Sequence, residues 1–378
     1  YSISGHIKFT GRKVAVTNAE FERIYPGKTP LHTGRLLPIY PATTGITPRF
    51  FRAYIHKYRQ YFDQVPDFIP KSILIKYHLI GAAEMLQKIH FPENEEDISI
   101  GLKRWHFNEL FRVNIYLLQQ RIAFQSQRAH SLDTHTERIK EFLDTLPYDL
   151  TNAQRKSTWE ILQDMTKPSP MNRLLQGDVG SGKTLVATIA TLNTILNSKQ
   201  IAFMAPTEIL AKQHFQSLRE ELQSFDSSYT IGLYTSSEQL ITTDPELGGY
   251  STTDTKSLLK LLVQGKIDCL IGTHSLITDK VIFKDIGLAI VDEQHRFGVN
   301  QRSKLQKNLT SLPDGTVETI PHFLSMSATP IPRTLALSMY GNLDVSTLDE
   351  LPAGRKEIQT KVVAPSNRPL MYAFINKH

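Results

Sequence analysis

Two short runs of this sequence have the residue types and spacing of a phosphate-handling site. The first, Gly177-Asp178-Val179-Gly180-Ser181-Gly182-Lys183-Thr184, fits G-x-x-x-x-G-K-[ST] at every position. Glycines at 177, 180 and 182 leave room for backbone N–H groups to curl around phosphate oxygens, where side chains would block the approach. Lys183 is then placed to meet the β and γ phosphates of a nucleotide such as ATP. The Thr184 hydroxyl suits Mg2+, and a helix starting here adds the partial positive charge of its N-terminus. A glycine-rich turn with an incidental lysine is the bland alternative, and the full run between an apolar strand and a helix argues against it. The second run is Leu288-Ala289-Ile290-Val291-Asp292-Glu293, an apolar strand ending in two acids. Asp292 is placed to hold Mg2+ through water, and Glu293 to polarise the water that attacks the γ phosphate. Strand ends carry surface acids often, so the pair gains its meaning from the phosphate loop upstream. Gln154 precedes that loop, and its amide could read both edges of adenine. On chemistry alone, an exposed helix glutamine is the simpler account.

These residues need a parallel sheet to bring them together. After residue 146, apolar strand candidates at 173–176, 201–205, 230–234, 269–272, 288–291 and 323–326 alternate with helical periodicity, notably at 183–196 and 208–222. That order predicts an α/β fold of the P-loop NTPase type, a parallel sheet with helices on both faces. The Ser, Thr and Gly-rich stretch 236–255 reads as an insertion or surface loop. Upstream the text differs. Strands at 4–10 and 14–17 flank a turn at Gly11-Arg12-Lys13, and a turn-rich linker covers 38–48. Helices follow at about 48–62, 71–90 and 98–124, the last with Leu102, Phe107, Leu110 and Phe111 on related faces. His78, His90, Trp105 and His106 read as core residues here rather than metal ligands, because no second ligand stands at a paired spacing.

Composition narrows the class. Hydrophobic residues at 40% and charged residues at 21% are globular proportions, and 378 residues suit two or three domains. Cys269 is the single cysteine, so an internal disulfide framework is excluded, and its apolar surroundings read as core. No run approaches the roughly 20 apolar residues of a membrane span, nor is there a signal peptide, so the expected place is the cytoplasm. The net charge of +6 is unevenly spread: residues 1–60 carry 10 basic and 2 acidic side chains, whereas residues 146–378 carry 23 of each. A basic excess of that kind fits a polyanion-binding surface, with a solvated basic face as the alternative.

Longer motifs carry a family resemblance. Asp292-Glu293-Gln294-His295 is the DEQH box of superfamily-2 helicases, and its continuation Arg296-Phe297-Gly298-Val299 resembles the RecG branch-migration helicases. Met326-Ser327-Ala328-Thr329-Pro330-Ile331-Pro332-Arg333 resembles motif III, which couples hydrolysis to DNA movement. Ala205-Pro206-Thr207-Glu208-Ile209-Leu210-Ala211 resembles motif Ia, and Gly272-Thr273-His274 motif Ib. The resemblance therefore implies backbone DNA contacts at Pro206, Thr207, Gly272, Thr273 and His274, and coupling roles for Gln294, Ser327 and Thr329. It implies a catalytic role for His295 beside Lys183, Asp292 and Glu293, with the Ser327–Thr329 hydroxyls sensing the γ phosphate through His295. Residues 146–154 resemble the Q motif, which shifts Gln154 towards an adenine contact. Leu36-Leu37-Pro38-Ile39-Tyr40-Pro41 and Ile89-His90-Phe91-Pro92 resemble the segment joining the RecG wedge to its motor.

The implied organisation is a partial OB-like wedge at 1–40, a helical linker at 41–145, a RecA-like ATP-binding domain at 146–352, and the start of a second lobe at 353–378. On that resemblance the chain begins inside the wedge, and Leu351-Pro352-Ala353-Gly354-Arg355 leads towards a lobe of which little follows. The family's arginine finger comes from that lobe. The expectation is a chain that binds ATP and Mg2+ but hydrolyses ATP weakly alone. The implied activity is ATP-dependent remodelling of branched or duplex DNA, including fork reversal and Holliday junction branch migration, in recombination and repair. The expected state is a monomer off the membrane, with a single-stranded DNA-binding protein as candidate partner. A transcription-repair coupling or replication-restart translocase is the alternative within the class. A nucleotide-gated DNA-binding module without transport is the alternative outside it. Phe9, Phe21 and Tyr25 could stack on a base or belong to a barrel core.

Overall fold

Apolar runs bounded by turn residues form strands, and amphipathic runs pack across them, in two separate units. The computed structural model describes every residue except 12, 28, 42–43, 243–248, 294–318, 330–342, 351–361 and 378. The units are Tyr1–Tyr116 and Leu117–His378.

In the first unit, β1 (Ser2–Thr10) and β2 (Lys13–Glu22) form an antiparallel pair whose turn uses Gly11 at φ +61°. The register shifts between Ser4 and His6. Gly5 lies at this bulge, where a Cβ would stand 2.6 Å from Val16 Cγ1. The Glu22 carboxylate turns the chain back by accepting from the Leu31 and His32 N–H groups at 2.8 and 2.7 Å. Phe9, Phe21 and Tyr25 are all exposed. Helices α1 (Pro48–Tyr58), α2 (Lys71–Lys76) and α3 (Ala82–His90) follow, then α4 (Glu95–Gln125), of which residues 117–125 belong to the second unit, and Thr47 caps α1 by accepting from Phe50 N.

The buried face of α4 is not the apolar one the spacing suggests. Gly101, Arg104 and Asn108 are buried, whereas Leu102 and Leu110 are exposed. The expectation of core roles for His78, Trp105 and His106 is corrected, since all three are exposed; only His90 is partly buried, and Tyr40 shares a 2.7 Å hydrogen bond with its Nδ1. The reason is that this face of α4 is closed by a polar network. The fully buried Arg104 donates to Asp67, to the Ile80 carbonyl and to Asn108.

The second unit holds α5 (Thr136–Asp144), α6 (Asn152–Met165), α7 (Lys183–Leu196), α8 (Glu208–Phe225), α9 (Thr255–Val263) and α10 (Arg368–Lys377). Its sheet is built from β3 (Asn172–Gly177), β4 (Gln200–Met204), β5 (Ile231–Tyr234), β6 (Gln239–Thr242), β7 (Tyr250–Thr252), β8 (Cys269–Gly272), β9 (Ile286–Val291), β10 (His322–Ser327) and β11 (Asp344–Leu348). The order across this nine-stranded sheet is β11-β3-β10-β9-β4-β8-β5-β6-β7, parallel from β11 to β5 and antiparallel beyond. All the strands expected after residue 146 are present. The loop expected at 236–255 is corrected in part: it contains β6 and β7, an antiparallel extension of the sheet edge.

Alternation along each strand separates two cores. Ile201, Phe203, Ile271, Leu288 and Ile290 pack with α6, α7 and α8, while Ala202, Met204, Leu270, Ala289 and Val291 pack with α9. The sheet is thus covered on both faces, which is why its strands read as continuous apolar runs. Among the described residues, no helix is long and apolar enough to cross a membrane.

Candidate nucleotide site

The phosphate loop lies between β3 and α7, where its glycines are needed for shape. Gly180 and Gly182 have φ of +79° and +85°, the left-handed region that side-chain-bearing residues avoid. A Cβ on Gly177 would stand 2.5 Å from Ser181 Oγ and 2.8 Å from Leu348 Cβ, so that position is closed by its neighbours. Asp178, Val179 and Gly180 are exposed. Lys183 curls over the loop and donates to the Gly177 and Asp178 carbonyls at 2.7 and 2.9 Å. Burial depresses its ammonium pKa, against the opposing pull of the Asp292, Glu293 and Asp178 carboxylates. Thr184 follows in the first turn of α7, partly exposed.

The two acids reach this loop through strand order. β10 pairs with β3 on one side and β9 on the other, so the carboxyl ends of all three strands meet at one edge. Ligands of open α/β sheets collect at such edges. Asp292 is buried: its Oδ1 accepts from Glu293 N at 3.0 Å, and its own N–H donates to the Met204 carbonyl at 2.8 Å. Glu293 has φ +51°, a conformation uncommon outside glycine and asparagine. That turn carries its Oε1 to the Ala328 N–H at 3.3 Å, at the end of β10. Beside it Ser327 Oγ and Thr329 Oγ1 lie 3.0 Å apart, and Thr329 N donates to Ser327 Oγ.

The donor set fits a nucleotide with Mg2+. The loop offers a cradle that a Cβ would fill, an ammonium beside it, and hard oxygen donors at Thr184 and Asp292. Gln294 and His295 lie outside the described residues, as do Arg296 to Val299 and Pro330 to Arg333.

Two features differ from the residue-level reading. Gln154 is buried, not an exposed helix residue. It forms a capping box at the start of α6, accepting from Thr151 N at 2.9 Å through Oε1, and its Nε2 donates to the Ser181 carbonyl at 2.8 Å. The amide offered to an adenine edge is therefore engaged on the phosphate loop itself. Nothing in the local pattern marks His214, whose Nε2 meets Asp292 Oδ2 at 2.8 Å.

The candidate DNA contacts share this edge on the far side of β9. Ala205 N donates to the Gly272 carbonyl at 2.8 Å, joining the two motif ends, and Thr207 caps α8 by accepting from Leu210 N. A Cβ on Gly272 would lie 2.4 Å from the Tyr234 carbonyl. Thr273 and His274 follow directly, ahead of Ser275, which donates to the same Tyr234 carbonyl.

Comparison with known proteins agrees with this architecture. The family described as DEAD/DEAH box helicase matches residues 151–337. The chain is 42% identical to the ATP-dependent DNA helicase RecG of Synechocystis sp., over 99% of this chain and 43% of that protein. It is 40% identical to the Bacillus subtilis protein of that name, over 90% of this chain and 47% of the relative. A solved structure of RecG bound to a three-way DNA junction aligns with a TM-score of 0.69 and 34% identity, covering 99% of this chain and 47% of that one. The chain spans less than half the length of each of these relatives. It belongs to the RecG family of DNA helicases.

Proposed function

We propose that the chain forms the ATP-gripping part of a motor that remodels branched DNA, including stalled forks and Holliday junctions, in recombination and repair. The observation that carries this reading is the convergence of Lys183, Asp292 and Glu293 on one phosphate loop, beside strand ends suited to DNA. The backbone N–H groups of the loop and of the first turn of α7 would grip the phosphate oxygens, and Lys183 would turn from the loop carbonyls to the β and γ phosphates. Mg2+, held by Thr184 and Asp292, would neutralise charge on those phosphates. Glu293 would orient the attacking water, and its hydrogen bond to Ala328 N ties that carboxylate to the Ser327–Thr329 turn. Movement of the turn with hydrolysis would then be felt at the end of β10, with Gln294 and His295 completing the relay.

DNA would track over Pro206, Thr207, Gly272, Thr273 and His274, and the basic stretch 1–60 would meet the branch. The RecG structure bound to a three-way junction supports branched DNA as the substrate. A monomer working in the cytoplasm, with a single-stranded DNA-binding protein as partner, is the setting we propose. The test is ATP turnover of the whole protein with and without three-way and four-way junctions, together with junction affinity across a salt series. Phosphate contacts from residues 1–60 predict a steep loss of affinity with salt. Turnover indifferent to junction DNA, or retained in K183A, would overturn the reading. A flat salt response would remove the basic stretch from it.

A further inference from the structure

Asp292 is held by more than its own strand. Its Oδ2 faces His214 Nε2 at 2.8 Å, from a helix 78 positions upstream, and both side chains are nearly inaccessible to solvent. The imidazole is in turn fixed by Phe203 of β4, whose ring centre lies 4.6 Å away at a 40° tilt. Phe203 pairs in register with Ile290, two residues before Asp292 on the neighbouring strand. The other carboxylate oxygen accepts from Glu293 N. Both oxygens of Asp292 thus have a partner, and one of those partners, the His214 imidazole, packs against the tilted Phe203 ring. A buried His–Asp contact can serve packing alone. This one orients a carboxylate whose charge reaches Lys183 across the phosphate loop.

We propose that His214 is a positioning residue of the nucleotide site. It donates from Nε2 to Asp292 and holds that carboxylate in the orientation from which it meets Mg2+. The proposal rests on the reading of Asp292 as the metal carboxylate. Groups that hydrogen-bond a metal ligand fix its direction, and losing one typically costs 10- to 100-fold in metal affinity or activity. The sequence run Ala211-Lys212-Gln213-His214 places the imidazole on the helix that Thr207 caps, so the rigid α8 joins the proposed DNA-contact end of β4 to the metal side of the site.

The experiment compares H214L, which fills the space without a donor, with H214Q, whose amide N–H can reach the same oxygen. In the whole protein, junction-stimulated ATP turnover is measured across a Mg2+ titration, and metal-free affinity is measured with a fluorescent methylanthraniloyl ADP. The expected result for H214L is a rise of roughly tenfold or more in the Mg2+ needed for half-maximal turnover. Metal-free ADP affinity should stay close to the parent's, because the partners of His214 are Asp292 and Phe203 and the effect proposed acts through the metal carboxylate. H214Q should recover most of the Mg2+ response. An unchanged Mg2+ dependence in H214L overturns the proposal. So does a loss shared equally by H214L and H214Q with metal-free binding weakened in parallel, the signature of packing. D292N is run alongside: if it too leaves the Mg2+ dependence untouched, the failure lies in the assignment of Asp292 and not in His214.

Discussion

Gln154 lies against Gly182: its Nε2 stands 2.2 Å from the point a Cβ on that glycine would occupy, while donating to the Ser181 carbonyl at 2.8 Å. The amide thus fixes the phosphate loop from behind and closes the N-terminus of α6 at once. Q154A should lose the capping box, a stability cost of about 1 kcal/mol, and release the loop. ATP and GTP affinity should then weaken alike. An adenine contact would give a different result, a selective loss of ATP with GTP unchanged, which competitive binding of the two nucleotides separates. G182A should abolish both, since the new methyl meets Gln154 in a backbone conformation that already excludes it.

Lys183 yields a prediction with a pH sign. Burial lowers its pKa while Asp292, Glu293 and Asp178 oppose the fall. Its ammonium therefore gives up its proton at lower pH than an ordinary lysine, and metal-free ADP affinity should decline earlier on the alkaline side. D292N removes one of the opposing carboxylates, so its decline should begin at lower pH still. K183A should cost turnover by roughly 10²- to 10³-fold, the usual loss for a preorganised charge in a closed site, with the far-ultraviolet circular dichroism unchanged. An alkaline limb that D292N leaves in place would show that the two groups are not coupled.

In the first unit, the same logic applies to a structural charge. Arg104 is fully buried and its Nη2 lies 2.5 Å from Asp67 Oδ1, while Asp67 also accepts from the Ile69 and Ala82 N–H groups. Asp67 keeps its contact with solvent, so removing Arg104 strands no buried charge; it leaves the buried Asn108 Oδ1 and the Ile80 carbonyl without their donor, at a cost of about 1–3 kcal/mol. R104L should therefore destabilise the α2–α4 region by that amount in urea unfolding, with R104K recovering only part because an ammonium cannot serve Asn108, Ile80 and Asp67 together. An R104L variant as stable as its parent would show that the network contributes nothing net.

Much of the motor unit is legible in the sequence because its signals are local. The strands ending at Gly177, Met204, Gly272, Val291 and Ser327 are apolar runs bounded by turns, and the phosphate loop is a fixed spacing. What the sequence hides is pairing across distance. β11 reads Asp-Val-Ser-Thr-Leu, too polar to announce a strand, yet it lies beside β3 and its Leu348 closes the space around Gly177. Helix α4 buries arginine and asparagine where periodicity favours its leucines, because the partner of Arg104 lies 37 residues away. His214 and Asp292 are 78 residues apart, and no local pattern could have joined them. Gln154 was visible as a residue with two hydrogen-bonding edges, but which group it faces is decided by the loop it packs on.

His322 provides a stability test in acid. It begins β10 with no solvent exposure, and its two nitrogens have opposite duties: Met171 N donates to Nδ1 at 3.0 Å, and Nε2 lies 2.7 Å from the His130 carbonyl. Only the neutral ring with its proton on Nε2 satisfies both. Burial lowers the pKa to about 4 from an ordinary value of 6.5. The unfolded chain therefore takes up a proton as pH falls below 6.5 while the folded chain does not, so this contribution is present above pH 6.5 and is lost progressively down to about pH 4. A shift of that size corresponds to about 3 kcal/mol across the window. H322Q presents an amide that can donate to His130 but does not titrate, so its melting temperature should fall less steeply between pH 6.5 and 4 than the parent's. Parallel acid limbs in the two proteins would show that other groups govern the transition and that His322 is protonated as easily folded as unfolded.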